Sequence, residues 1–159
     1  MVTTHKISTE LYDDSFQLIA MHCGLESYAI AYHLNSYIKL KLNRKEEKKE
    51  DEIYKVGWLE SFPIYEWKDE LKDQYWTLIA NTVTQENKND SYGLFSNEIL
   101  INKMHLVKER KEVDYFLKIE TEDATLLNEI IKKINLIPKV VTAYSIDVNT
   151  LKSKRNLIF

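Results

Sequence analysis

Apolar residues recur along this chain with two different periods, and the alternation between them outlines the fold. Phe16-Gln-Leu-Ile-Ala-Met-His-Cys23 is an apolar run of strand length, closed by Gly24. From Glu26 to Ile38 the period changes. Ile30, Ala31, Leu34, Tyr37 and Ile38 return at three- and four-residue spacing, which predicts a helix with one buried face. Leu40 to Tyr54 holds the run KEEKKEDE, whose interleaved signs read as a solvated loop. Phe62 to Trp67 and Tyr75 to Val83 are rich in aromatic and β-branched residues and predict two strands joined by the polar Lys68–Gln74 connection. Gln85 to Ser91 reads as a surface loop, and Ile99 to Leu106 as a further short strand.

The clearest alternation is Val113-Asp-Tyr-Phe-Leu-Lys-Ile-Glu120. Val113, Tyr115, Leu117 and Ile119 are predicted on one face, with Asp114, Phe116, Lys118 and Glu120 on the other. Asp123 suits the N-cap of the next helix, whose apolar stripe is Leu126, Leu127, Ile130, Ile131 and Ile134. That helix ends near Asn135, since Pro138 cannot continue it, and Lys139 to Asp147 returns to strand character. Strand, helix and strand from Val113 to Asp147 suffice for a crossover between parallel strands, and Phe16 to Leu42 could form a similar unit. The expected fold is α+β: a mainly antiparallel sheet with two principal helices packed on one face, ferredoxin-like with extra strands. No repeat or linker interrupts residues 1–159, which read as a single globular domain.

Composition narrows the chemistry. The chain has 159 residues, 44% hydrophobic and 11% aromatic, enough for a substantial core and too aromatic for a disordered chain. A net charge of -3 lacks the positive surplus with which a protein replaces the counterions of a nucleic acid. The three glycines, Gly24, Gly57 and Gly93, are too scattered for a phosphate-binding loop. One cysteine, Cys23, permits no internal disulfide and no paired-cysteine zinc site. His5, His22, His33 and His105 show no metal-ligand spacing, so no metal or cofactor is expected. No signal peptide or membrane-length apolar run is visible, and a cytoplasmic location is the simplest expectation.

The window Val107-Lys-Glu-Arg-Lys-Glu-Val-Asp-Tyr115 resembles the signature of the IPExxxVDY family, which is bacterial and associated with Bacteroidetes. Glu109, Val113, Asp114 and Tyr115 match it, while Val107 stands for its Ile and Lys108 for its Pro. The Phe16–Cys23 strand leading to Tyr28 through Asn35, and the C-terminal Leu151–Phe159, are similar to the family in character. The resemblance implies a cytoplasmic bacterial protein and supplies no catalytic residues.

Each candidate site has a plain structural explanation beside a functional one. Glu109 and Asp114 could form an acid–base pair; in the simpler reading Glu109 lies in a solvated loop, and Asp114 sits on the outer sheet face or bonds to a neighbouring backbone N–H. Cys23, before a helix N-terminus, could be a reactive thiol, but His22 faces away from it and buried cysteines are usually inert. Tyr65, Trp67, Tyr75 and Trp76 could form an aromatic platform, although the neighbouring charges are mostly acidic and core packing is the simpler use. Phe159 ends an apolar terminus expected to dock on its own domain, or else on another subunit. The leading expectation is a non-enzymatic binding or protein-interaction module, as a homo-oligomer or with a protein partner. Glu109, Asp114, Tyr115, Trp67, Trp76 and Phe159 are its candidate contacts. An enzyme of unfamiliar type using Cys23 or the Glu109/Asp114 carboxylates, and an RNA-binding accessory protein, are the alternatives.

Overall fold

A computed structural model describes residues 16–45, 62–88, 99–121, 123 and 125–158. In chain order the elements are β1 (Gln17–Cys23), α1 (Ser27–Ile38), β2 (Asn43–Arg44), β3 (Ile64–Asp69), β4 (Gln74–Ala80), β5 (Thr82–Lys88), β6 (Ile99–His105), β7 (Tyr115–Glu120), α2 (Leu126–Ile134) and β8 (Val140–Ile146). Six strands form one sheet in the order β2-β3-β4-β7-β1-β8, every pairing antiparallel, while β5 and β6 make a separate hairpin. β7 and β8 both run antiparallel to β1, which lies between them, so α2 crosses over between two parallel strands that are not neighbours. The four strands β8-β1-β7-β4 and the two helices give the split β–α–β arrangement expected of a ferredoxin-like α+β fold. β2 and β3 extend it at one edge.

The sheet is covered on both faces, not on the helical face alone. Ile19, Met21, Leu78, Leu117 and Ile119 pack under Ile30, Leu34, Ile130 and Ile134 of the helices. Leu18, Ala20, Ile79 and Phe116 point the other way, beneath Leu106, Val107, Val113 and the C-terminal Leu151 and Leu157. This double burial explains why β1 and β7 are apolar almost without interruption: they are the central strands, and both sides of each need apolar residues.

Five local expectations change. Val113 precedes β7 and packs with Phe116 on the face opposite Tyr115, because regular pairing begins only at Tyr115. Lys118, expected in solvent, is buried; its Nζ lies 2.7 Å from Glu120 and 4.8 Å from the centre of the Phe16 ring. Asp123 does not cap α2 directly. Its carboxylate accepts the N–H and Oγ–H of Thr125, the residue that occupies the N-cap position. Within the supposed loop 85–91, residues 85–88 belong to β5, and 89–91 lie outside the described residues. At the other predicted loop, Leu40 and Leu42 are buried in the core, and residues 46–54 lie outside the described residues.

Asparagine side chains repeatedly stand in for strand partners. Asn35 Oδ1 accepts the Leu42 N–H and its Nδ2 donates to the Leu42 carbonyl, fastening the chain that leaves α1. Asn135 does the same for Ala143 on the outer edge of β8, and also donates to the Ile131 carbonyl. Opposite His22 and Cys23 the register of β8 shifts by a residue. A bulge and an edge occupied by side-chain amide both hinder pairing with another strand.

Candidate functional site

Two of the signature residues, Asp114 and Tyr115, meet at the end of β1. Asp114 Oδ2 accepts the Cys23 N–H at 2.9 Å, and the Asp114 N–H donates to the Met21 carbonyl. Tyr115, buried on the helical face, donates its hydroxyl to the Leu25 carbonyl at 2.6 Å. Burial and the neighbouring negative groups raise the Tyr115 pKa, which keeps the phenol a donor. Together these bonds fix the turn from β1 into α1. Of the two simpler alternatives for Asp114, the bond to a neighbouring backbone N–H is the one present.

Glu109 lies elsewhere, in the 3-10 turn Lys108–Arg110, and its carboxylate spans the chain to Ser153. Oε1 accepts the Ser153 N–H at 2.7 Å and Oε2 the Ser153 Oγ–H at 2.6 Å, which clasps the C-terminal segment. Partial burial opposes ionisation, but the Ser153 hydrogen bonds outweigh it and hold this carboxyl below its ordinary value of 4.5. A carboxyl depressed in the folded state contributes stability above its unfolded value and loses it as pH falls through the folded value. The clasp therefore weakens below pH 4.5. The Ser153 amide signal in NMR should titrate in that range, and Glu109→Gln should abolish the titration. A Ser153 signal indifferent to acid would mean that the clasp does not form.

Cys23 and His22 face opposite sides of β1, as their alternation requires. Cys23 is buried in the helical-face core, and burial pushes its thiol pKa up, the reverse of an activated nucleophile. His22 stacks on Tyr144 at 5.6 Å, with Nε2 3.2 Å from its hydroxyl. His105 Nδ1 lies 3.0 Å from Thr82 Oγ1. Among the described residues, no cluster of His, Cys, Asp and Glu has the makings of a metal site.

The aromatic hairpin β3–β4 divides its side chains between the two faces. Tyr75 is turned from the helices and donates to Glu66 Oε2 at 2.6 Å, while Tyr65, Trp67 and Trp76 face them. Trp67 and Trp76 are direct cross-strand partners. They do not form an open platform; they line a groove of about 280 Å³ between the hairpin, the end of α1 and one side of α2. Its apolar lining comes from Ile38, Leu40, Leu126 and Ile130 beside the two tryptophans. The Trp76 indole N–H is buried without an acceptor among the described residues.

The groove's rim was not anticipated from sequence. Lys39, Lys72 and Lys133 stand against Asp69 and Glu129. Lys133 is 2.7 Å from Glu129, whose carboxyl is held low by that bond, and Asp69 Oδ1 accepts the Leu71 N–H. No carboxylate among the described residues lies within salt-bridge distance of Lys39 or Lys72. Lys39 also follows the last turn of α1 with φ 66° and ψ 34°, a left-handed position that usually falls to glycine. A sequence signal existed: helix α1 ends with no glycine after it. Only the fold shows where that lysine stands.

The six expected contacts therefore separate. Trp67 and Trp76 meet in the groove, Asp114 and Tyr115 lock the β1–α1 turn, Glu109 holds the C-terminal segment, and Phe159 lies outside the described residues. Leu151 and Leu157 just before it are buried on the domain itself. Among the described residues, no helix is long and apolar enough to cross a membrane. Comparison with protein-family models, with curated proteins and with solved structures returns no match.

Proposed function

We propose that this chain is a non-enzymatic binding module whose binding site is the groove beside Trp67 and Trp76. The observation behind it is the groove itself: concave, lined by two tryptophans and aliphatic side chains, with charges gathered at its rim. The polar residues with catalytic potential favour the same reading, since Asp114, Tyr115 and Glu109 are committed to holding backbone in place. Cytoplasmic residence belongs to the proposal too, as the simplest reading of the sequence. So does kinship with the IPExxxVDY proteins, supported by the four matching positions at Glu109, Val113, Asp114 and Tyr115.

A neutral, flat probe tests the site. Indole-3-acetamide is small enough for the groove, and for a ligand of that size a Kd of about 1 mM or tighter is expected. Binding should shift the indole N–H signals of Trp67 and Trp76, assigned through Trp67→Phe and Trp76→Phe, and leave Ser153 unmoved. Unshifted tryptophan signals at millimolar probe would overturn the reading.

Contact with a protein partner or a second copy is a second reading with its own observation. Tyr28 and Tyr32 are each 68% exposed on the outer side of α1, and Tyr37 is also exposed. Aromatic side chains are enriched where proteins meet.

A further inference from the structure

We infer that the groove is built for a small organic acid: a flat aromatic body with one anionic group. This rests on the binding-module reading and adds the ligand's charge to it.

The body follows from the lining. Trp67 and Trp76 are paired across β3 and β4, and Leu126 and Ile130 of α2 and Ile38 of α1 close the space around them. Trp67 is only partly buried, so one tryptophan surface remains open to an incoming ring. A volume of about 280 Å³ admits one or two fused rings with a short side arm, and is too small for a folded peptide element.

The anion follows from the rim. Three lysines face two carboxylates there, and the carboxylates have the closer partners: Glu129 is taken by Lys133, and Asp69 is bonded to the Leu71 N–H. Lys39 and Lys72 have no such carboxylate among the described residues, so the rim presents a surplus of positive charge above an apolar floor. A charged head at the rim keeps contact with water while the ring is desolvated, which avoids the cost of burying an ion. Lys39 adds a conformational argument. Its left-handed backbone ends α1 and turns the chain at the groove. A lysine kept there sets an ammonium at the mouth of the groove.

The test compares three probes of nearly equal shape: indole-3-acetate, indole-3-acetamide and tryptamine, which are anionic, neutral and cationic. Titrations followed by the Trp67 and Trp76 indole signals should give indole-3-acetate about fivefold tighter than the acetamide at low salt, with tryptamine weakest. The gap should close as salt screens the rim. Lys39→Gly and Lys72→Gln should each narrow the gap between acetate and acetamide. Lys39→Gly is the safer variant, since glycine takes that backbone conformation without strain. Equal affinity for acetate and acetamide, or a preference for tryptamine, would overturn the anion and leave the groove as a binding site. Failure of all three to shift the tryptophan signals would remove the site along with it.

Discussion

Replacing Asn81 with alanine should cost this fold about 3–5 kcal/mol, a large part of the roughly 5–15 kcal/mol that keeps a domain folded. Asn81 is 0% exposed and occupies the break between β4 and β5. Its side-chain Oδ1 accepts the Val107 N–H at 2.9 Å, and Nδ2 donates to the Arg110 carbonyl at 2.7 Å and the Val113 carbonyl at 2.9 Å. Its backbone accepts from the Leu106 N–H and donates to the Asp114 carbonyl. One residue therefore holds both ends of the 106–114 segment that carries Glu109 and Asp114. Alanine keeps the two backbone bonds but takes the Asn81 partner from the fully buried Val107 N–H and from the Val113 carbonyl, while the Arg110 carbonyl still accepts the Val113 N–H. A buried donor without a partner costs about 1–3 kcal/mol, and the Val113 carbonyl and lost packing add the rest. The check is a urea titration, in which the midpoint should fall with little change in slope.

Asn81→Leu separates hydrogen bonding from burial. Leucine would bury apolar area worth about 2 kcal/mol, yet it leaves the same groups unpaired in a tightly packed site. It too should destabilise. Asn81→Asp keeps the acceptor for Val107 but turns a carboxylate toward two carbonyl oxygens. Burial and those oxygens would raise its pKa, so the variant should be least stable at neutral pH and recover as acid protonates it. An alanine variant within about 0.5 kcal/mol of the parent would show that the segment is held by other contacts.

Asn81 also marks where legibility ended. The stretch Tyr75 to Val83 reads as one strand because its alternation runs straight through position 81, and nothing local signals a break. The break exists because Val107, Arg110 and Val113, far along the chain, require an amide there. Strand and helix periods were readable because each is set by neighbours two to four residues away. The second covered face was not, since it is supplied by turns with no period of their own. Likewise, the hairpin tryptophans were visible as an aromatic pair, but the lysines above them come from the end of α1, the β3–β4 turn and α2, and only the fold assembles them.

The C-terminal segment gives the second large effect, and it runs against the usual tolerance of chain ends. Leu157 lies in the 3-10 turn Lys154–Leu157 and is 0% exposed, packed with Leu106, Phe116 and Ile146. Leu157→Ala should cost about 2–4 kcal/mol, the price of a core leucine rather than of a terminal one. Residues near a terminus ordinarily tolerate change because little backbone or side chain is tied down there. Here the segment is tied at several points. Glu109 clasps Ser153, Asn156 Nδ2 donates to the Leu106 carbonyl at 2.8 Å, and Leu151 is buried beside Leu157. Ile158, the next residue, is 44% exposed and provides the internal control: Ile158→Ala should stay within about 0.5 kcal/mol. Combining Leu157→Ala with Glu109→Gln should cost less than the sum of the two, because a segment already loosened has less of the clasp to lose. Urea midpoints for the parent and the four variants decide the matter. If Leu157→Ala proves as mild as Ile158→Ala, the segment does not cover the second face of the sheet. Phe116 and Leu18 must then find their burial elsewhere.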